Sequence, residues 1–215
     1  MEKLKEYKHV ILTRFNTQAF DGKLIYDKPI KEADGWMWDR MKLFAKTRES
    51  VLDQGEDFLW VVGIDERTPF HFRDEIKGDE PRIRWFEGDV RQYFDAFPVE
   101  EPWLITTRLD NDDLHKPGAI KAIQDCFTHK EIIIDLVYHQ KKGRDLFESN
   151  RPNPNGPFLS LIEKNDKAIR TCYARPHNKM SEDWKKAIFA SREPLAYMVI
   201  HGDNAANKIV GRRVL

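Results

Sequence analysis

The stretch PWLITTRLDNDDLHKPGAI, residues 102–120, places an apolar run directly before three aspartates and a Pro-Gly pair. The run itself has the length and composition of a buried strand. Asp110, Asp112 and Asp113 then fall within four residues, and carboxylates held this close together repel one another. We therefore expect a cationic group beside them in the folded protein.

On the N-terminal side of this stretch, short apolar runs alternate with amphipathic segments. The predicted strands are HVILTRF, FLWVVGID and IRWFEG, at 9–15, 58–65 and 83–88. Apolar residues at helical spacing predict helices around 37–45, after Asp89 and after Pro117. Strands that alternate with helices are typical of an open, mostly parallel α/β sheet.

The second half of the chain has a different pattern. The strand-like segments are EIIIDLVY, PFLSLI, AIRTCYA and LAYMVIHG, at 131–138, 157–162, 168–174 and 195–202. One helix is predicted among them, SEDWKKAIFAS at 181–191, and the Asn-, Pro- and Gly-rich residues 143–157 predict a long surface loop. We therefore expect an α/β fold whose mostly parallel central sheet is flanked by helices and followed by a mixed or antiparallel extension.

The composition limits the function classes. The 215 residues are 40% hydrophobic and 33% charged, which is typical of one soluble globular domain. The 36 basic and 36 acidic residues balance, so there is no overall basic field for nucleic acid or an anionic membrane. The longest apolar runs are far shorter than the ~20 residues of a membrane helix, and the N-terminus lacks a secretory signal.

Two further expectations follow from the composition. Cys126 and Cys172 lie in apolar contexts and form no CxxC pair, so we expect buried, reduced thiols and a cytoplasmic protein. The final residues, KIVGRRVL, contain no obvious closing element, which is compatible with one domain of a longer protein.

The acidic cluster itself predicts a metal site. In an extended strand Asp110 and Asp112 share a face, with Cα atoms roughly 7 Å apart, and oxygen ligands favour Mg²⁺ or Mn²⁺. Ligands of open α/β sheets bind beyond the carboxyl ends of the strands, where this cluster lies. Two alternatives are a phosphohydrolase with Asp110 as nucleophile, and capping of the helix near Pro117 by Asp112 or Asp113. The phosphohydrolase motif normally follows the first strand, whereas this cluster follows three earlier ones.

The order of these segments resembles a known family. HVILTRFN, DFLWVVGID and PWLITTRLDNDDLH together resemble the putative rhamnosyltransferase family and, more broadly, nucleotide-sugar glycosyltransferases of the GT-A (Rossmann-like) fold. TTRLDNDD matches the family's Asp-x-Asp motif, and VVGIDERT matches its Asp-containing turn after the second strand. The resemblance covers most of the chain. It implies a single GT-A domain over 1–215, with a nucleotide-sugar-binding half at 1–128 and an acceptor-binding half at 129–215.

The activity implied by the resemblance is metal-dependent transfer of a sugar from a nucleoside-diphosphate sugar to an acceptor hydroxyl, on a glycan or another molecule. Asp110 and Asp112 would hold Mn²⁺ or Mg²⁺ against the donor diphosphate, with His201 as a further ligand. Asp113 would cap the helix or contact the donor sugar. The donor contacts that the resemblance implies are Thr13, Arg14, Asp65, Arg108, Asp110 and Asn111. A non-catalytic nucleotide- or sugar-binding domain is the alternative from another class.

The catalytic base is a separate question. Inverting members of the fold use an Asp or Glu to deprotonate the acceptor hydroxyl, which makes Glu163 and Asp183 candidates. Ser181 followed by two acids fits a capped helix N-terminus equally well. His177 is a candidate for donor or acceptor contacts, and the loop at 143–157 is expected to select the acceptor.

Overall fold

The computed structural model of the protein describes residues 5–17, 33–149, 156–166, 168–201 and 208–215. The elements of the first half are β1 (Tyr7–Arg14), α1 (Ala33–Leu52), β2 (Leu59–Ile64), α2 (Phe70–Lys77), β3 (Ile83–Glu87), α3 (Tyr93–Ala96), β4 (Trp103–Arg108), β5 (Leu114–His115) and α4 (Ala119–Asp125). Those of the second half are β6 (Ile132–Asp135), β7 (Tyr138–Lys142), β8 (Asp145–Glu148), β9 (Leu159–Lys164), β10 (Ala187–Phe189) and β11 (Ala196–Val199). Short 3₁₀ helices span Val90–Gln92 and His177–Glu182.

A seven-stranded sheet forms the centre of the fold, in the order β10-β6-β9-β4-β1-β2-β3. The pairs that join β1 to β2, β1 to β4, β2 to β3 and β6 to β10 are parallel. Strand β9 is antiparallel to both of its neighbours, β4 and β6. The carboxyl ends of β1, β2 and β4 therefore meet at one end of the strands, which we call the carboxyl edge of the sheet. The C-terminal end of β9 lies at the other end of the strands, the amino edge.

Apolar side chains cover both faces of this sheet. Helices α1, α2 and α4 pack on one face, where Phe44, Phe72 and Ile123 belong to the same core cluster as strand residues such as Ile11. The other face is covered by α3 and by the chain around 172–184, through residues such as Phe94. This arrangement confirms the predicted fold class, an α/β (Rossmann-like) architecture with a mostly parallel sheet flanked by helices.

The predicted mixed extension is a second sheet of four strands, in the order β5-β11-β7-β8. Strand β11 is antiparallel to β5 and parallel to β7, and β7 pairs antiparallel with β8. Ala196 of β11 and Tyr138 of β7 pack into the core on the α1 side of the central sheet. The second sheet thereby brings the residues that follow β11 towards the acidic cluster, since β5 begins directly after it.

Three sequence predictions for the second half are wrong. The segment 181–191 is not a helix, because its last part pairs with β6 as strand β10 and its first part ends a 3₁₀ helix. The segment 168–174 is not a strand. Its chain turns at Thr171, whose φ of 63° is incompatible with extended structure. The predicted loop at 143–157 contains β8, and 150–155 lie outside the described residues.

Within the part of the chain that the structure describes, every helix is too short or too polar to cross a membrane.

Candidate functional site

The acidic cluster lies at the edge where β1, β2 and β4 end, and it forms a turn. The Asp113 N–H donates to the Asp110 carbonyl at 3.2 Å, so the four residues 110–113 are not extended as the sequence predicted. Asn111 fixes this turn to the rest of the fold. Its side-chain amide donates to the Phe15 carbonyl at 2.7 Å, and its own carbonyl accepts from the Thr47 hydroxyl at 3.2 Å. Asn111 thus positions the turn from within the protein.

Asp110 is held by the arginine two residues before it. Arg108 donates from Nη2 to both carboxylate oxygens, at 2.9 and 3.1 Å, and from Nε at 3.2 Å. Burial favours a raised pKa for Asp110, but the charge of Arg108 outweighs it and holds that pKa below its ordinary value. Burial likewise opposes the charge of Arg108, yet the pKa of this guanidinium is raised by Asp110. Arg108 and Asp110 therefore form a close ion pair.

A second guanidinium lies beside this pair. Arg14 and Arg108 both stack on the Tyr173 ring, 4.7 and 5.2 Å from its centroid. The Arg14 Nε is buried and has no hydrogen-bond partner in the described part of the chain. The charges of Arg14 and His177 add to that of Arg108 in lowering the pKa of Asp110. This side of the site is consequently electropositive and suits an anionic group.

Side chains from two distant parts of the chain contact the Asp112 carboxylate. Its Oδ2 accepts from Arg40 Nη1 at 2.9 Å and lies 2.8 Å from His201 Nε2. Arg40 comes from α1, and His201 follows β11 by two residues. The Asp112 and Arg40 side chains are only 13% and 9% exposed, so this pair is largely withdrawn from water.

Asp113 is the third carboxyl of the cluster and is buried behind the other two. Its Oδ1 accepts from the Val199 N–H of β11 at 2.9 Å, which attaches the turn to the second sheet. Burial, followed by the charges of Asp112 and Asp110, raises its pKa well above the ordinary value. The capping predicted for Asp112 or Asp113 is wrong, since α4 has Gly118 at its N-cap and no side-chain cap.

These residues fit a divalent cation in part. Asp112 and His201, predicted as ligands, contact each other at 2.8 Å, and the carboxylate oxygens of the cluster are donors that suit Mn²⁺ or Mg²⁺. Asp110, the third predicted ligand, has both oxygens on Arg108 instead. Among the described residues no three His, Cys, Asp or Glu side chains are grouped closely enough to hold a metal ion.

The remaining predicted donor contacts lie along the same edge. Asp65 follows β2 in a turn, where its carboxylate accepts from the backbone N–H and the side chain of Arg67, at 2.8–2.9 Å. This is also the geometry of an ordinary turn aspartate, and its role towards a donor stays a prediction. Thr13 is fully buried and its hydroxyl donates to the Leu109 carbonyl and accepts from Trp60 Nε1. Thr13 therefore braces the strands and presents no free hydroxyl to a ligand.

The two candidates for the catalytic base are not at the acidic cluster. Glu163 lies near the end of β9 and opposite Leu104, which is at the start of β4, so it is at the other edge of the sheet. Its carboxylate accepts the N–H groups of Arg170 and Thr171, each at 2.9 Å. Asp183 is paired at the surface with Arg175 at 2.7 Å. Antiparallel β9 carries Glu163 away from the acidic cluster, and a catalytic role for Glu163 or Asp183 stays a prediction.

Sequence reasoning missed three residues near the site. Arg40 lies on the apolar stripe of α1 with Met37 and Met41, and a charge in such a stripe is a signal of a buried partner. No sequence pattern indicated that Tyr173 lies at the site, since the segment that contains it was predicted to be a strand. Asp135 ends the run IIID and is completely buried, and neither of its oxygens has a hydrogen bond of normal geometry in the described chain.

Comparisons with known proteins found no matching family model and no matching curated protein. Among solved structures, the 4-diphosphocytidyl-2C-methyl-D-erythritol synthase of Anaerococcus prevotii is 10% identical, with 87% of this chain and 88% of that one covered and a TM-score of 0.46. The inositol-1-phosphate CTP transferase of T. maritima is 10% identical, with coverages of 95% and 93% and a TM-score of 0.42. A cytidylyltransferase from Leptospira borgpetersenii is 15% identical, with coverages of 88% and 77% and a TM-score of 0.43. At these scores the likenesses carry no argument about activity, and the fold assignment rests on strand order and direction.

Proposed function

We propose that this protein is a metal-dependent glycosyltransferase of the GT-A fold that moves a sugar from a nucleoside-diphosphate sugar to an acceptor hydroxyl. The observation that carries the proposal is the contact between Asp112 and His201. These residues are 89 positions apart in the sequence, and they meet at 2.8 Å beyond the carboxyl end of β4. Ligands of open α/β sheets bind at this kind of edge.

The charges around the cluster support a donor with a diphosphate group. Arg14, Arg40 and Arg108 bring three permanent positive charges to the edge, against the carboxylates of Asp110 and Asp112. Guanidinium groups bind phosphate oxygens in a fixed, bidentate geometry. Arg14 and Arg108, which both contact the Tyr173 ring, would hold the donor diphosphate. His177 lies on the same side and would add a further positive or hydrogen-bonding contact.

Asp112 and His201 would hold Mn²⁺ or Mg²⁺, with Asp110 as a neighbouring carboxylate. When bound, the cation supplies Lewis-acid stabilisation of the charge that develops on the leaving diphosphate. Asn111 and the Asp113 carboxyl keep the turn in place through Phe15 and Val199. The donor sugar, for which the resemblance implies rhamnose, and the acceptor loop at 143–157 stay predictions.

The enzymatic alternative is less compatible with the geometry. A phosphohydrolase would need Asp110 as a free nucleophile, but both of its oxygens accept hydrogen bonds from Arg108. The cluster also follows the fourth strand of the chain rather than the first. A non-catalytic binding domain would share the donor site, so only turnover separates it from the proposal.

The test combines binding with turnover. Nucleoside diphosphates and nucleotide sugars are screened by thermal shift with and without Mn²⁺, and the best donor is then assayed for release of its nucleoside diphosphate. We expect a rise in the melting temperature that depends on Mn²⁺, and donor hydrolysis or transfer that stops in EDTA. Binding without turnover with any donor and acceptor would favour the non-catalytic domain, and activity that persists in EDTA would rule out the metal-dependent mechanism.

A further inference from the structure

The outer face of the second sheet, which points away from the core, carries a group of basic side chains. Ala196 and Tyr138 are paired in the sheet and pack into the core. Successive residues of a strand point to opposite faces, so the next pair, Tyr197 and His139, lies on the outer face. Lys141, two residues after His139, shares that face.

Two lysines meet on the ring of Tyr197. The Nζ atoms of Lys116 and Lys141 are 5.6 and 5.3 Å from the ring centroid. Within the part of the chain that the structure describes, neither ammonium group forms an ion pair with an acid. Positive charges that are held together without a counter-charge favour an anionic partner.

His139 adds a third basic group to this face. Its ring centroid is 6.5 Å from that of Tyr197, and its buried Nδ1 has no hydrogen-bond partner among the described residues. Burial, followed by the charge of Lys116, lowers the pKa of His139, and the charge of Glu148 opposes them. The outer face around Tyr197 is therefore electropositive and has an unused hydrogen-bonding atom.

A groove with a volume of about 820 Å³ opens beside these groups. Lys116 and Tyr197 line it together with Lys46, Glu49 and Asp53, which belong to the C-terminal half of α1. The volume lies within the range of about 300–1,000 Å³ that is typical of small-molecule sites, and it is too large for a phosphate ion alone. The described lining includes no member of the acidic cluster.

We propose that this groove is a second binding site, which takes a phosphorylated sugar. Lys116 and Lys141 bind the phosphate group, since ammonium groups bind phosphate as point charges. Glu49 and Asp53 are hydrogen-bond acceptors when ionised, so they suit the hydroxyl groups of a sugar and repel a second anionic group. The ligand thus has one anionic end and a body that carries hydroxyl groups. The inference does not depend on the proposed function, because it involves neither the acidic cluster nor a cation.

The experiment measures binding of glucose 1-phosphate to the full chain by isothermal titration calorimetry, in EDTA so that no divalent cation contributes. Wild type is compared with the double variant of Lys116→Gln and Lys141→Gln. We expect the double variant to raise the Kd by about tenfold or more, through loss of two charge-assisted contacts. Lys142→Gln is the matched control, because this exposed lysine follows Lys141 on the same strand and points to the opposite face. It is expected to leave the Kd unchanged.

Glu49→Gln separates recognition of the sugar from recognition of the phosphate. This variant loses an acceptor for a hydroxyl group, so the Kd for glucose 1-phosphate is expected to rise by several-fold. The Kd for inorganic phosphate is expected to fall or stay the same, because a negative charge has been removed from the groove. Free glucose, which lacks the phosphate, is expected to bind more weakly than glucose 1-phosphate.

The arginines at the carboxyl edge are the competing phosphate site, so Arg14→Met is measured in parallel. Loss of binding in Arg14→Met with an unchanged Kd in the lysine variants would place the phosphate at the carboxyl edge and overturn the proposal. The absence of saturable binding to wild type at millimolar glucose 1-phosphate would also overturn it. Circular dichroism checks the fold of each variant. Should the double variant not fold, Lys116→Gln and Lys141→Gln are measured singly, and each is expected to raise the Kd by several-fold.

Discussion

Both edges of the central sheet bury a carboxylate at a strand end, but the two are held by different kinds of group. At the amino edge, Glu163 accepts two backbone N–H groups from residues seven and eight positions later. At the carboxyl edge, Asp112 is held by the side chains of Arg40 and His201, which are 72 and 89 positions away. Backbone donors are fixed by the path of the chain, whereas side chains can rotate away.

The difference separates a structural carboxylate from a site candidate. Glu163 stabilises the irregular chain that replaces the predicted strand at 168–174, and its N–H donors belong to the backbone of that segment. Asp112 is held by the side chains of Arg40 and His201 instead. A largely buried acid held by side chains from distant parts of the sequence is therefore a better site candidate than one closed by its own neighbouring backbone.

The largest expected effect lies at the carboxyl edge. Asp112→Asn removes the charge that the proposed function assigns to the cation, so donor turnover is expected to fall by about 100-fold or more, by analogy with the loss of a key electrostatic contact. Steady-state assays with Mn²⁺ measure it, and circular dichroism checks that the variant is folded. Asp125→Asn, which removes an exposed acid on α4, serves as the control. Normal turnover in folded Asp112→Asn would remove the carboxyl edge from consideration as the active site.

A smaller effect, on stability rather than activity, is expected at the amino edge. In Glu163→Gln one backbone N–H faces an amide NH₂ in place of a carboxylate oxygen and loses its acceptor. A buried unsatisfied group of this kind lowers the free energy of unfolding by about 1–3 kcal/mol. Urea denaturation measures the loss against Glu100→Gln, an exposed control. The kcat should stay close to that of wild type. A loss of kcat without a loss of stability would show that Glu163 takes part in the reaction and is not a structural carboxylate.

A third effect is a pH dependence of stability, and it concerns Asp135, a buried acid at the end of β6 that forms no ion pair within the described part of the chain. Burial raises its pKa to about 8, opposed in part by the Gly156 N–H. Between the unfolded pKa near 4 and the folded pKa near 8 the native state alone keeps the proton, so Asp135 makes stability fall as the pH rises through this window.

Asp135→Asn removes the titrating carboxyl group, so its contribution to the pH dependence of stability disappears. The variant is expected to gain stability relative to wild type from about pH 4 to about pH 8, by at most about 1.4 kcal/mol per pH unit. Chemical denaturation at a series of pH values provides the measurement, with exposed Asp95→Asn as the comparison. A difference between variant and wild type that does not change with pH would mean that Asp135 ionises normally.

The sequence predicted the central sheet where local pattern and tertiary structure agree. Strands β1 to β4 each contain a short apolar run, and the stripe of α1 has the period of a helix, so each is determined largely by its own residues. The prediction failed at 181–191, where pairing with β6 outweighs helical pattern, and at Thr171, where Glu163 anchors a turn. These outcomes depend on partners that are distant in the sequence.

The prediction of the site residues is limited in the same way, by contacts between residues that are distant in the sequence. The strand-end position of Asp110 and Asp112 follows from the pattern of the chain, and the resemblance anticipated that His201 would lie near them. The Arg40 contact was not predicted, because the direction of one side chain on α1 depends on how the helix packs. The turn at 110–113 was also missed, since its geometry is set by contacts to Phe15 and Thr47.

The two partners of Asp112 leave the ribosome at different times. Chains are synthesised from the N-terminus, and segments begin to collapse before the rest has emerged. Arg40 precedes Asp112 by 72 residues, whereas His201 follows it by 89. While the nascent chain still lacks β11, Asp112 already has a counter-charge from α1. The aspartate can thus be buried against the first half of the sheet during translation, and the histidine joins an acid that is already in place.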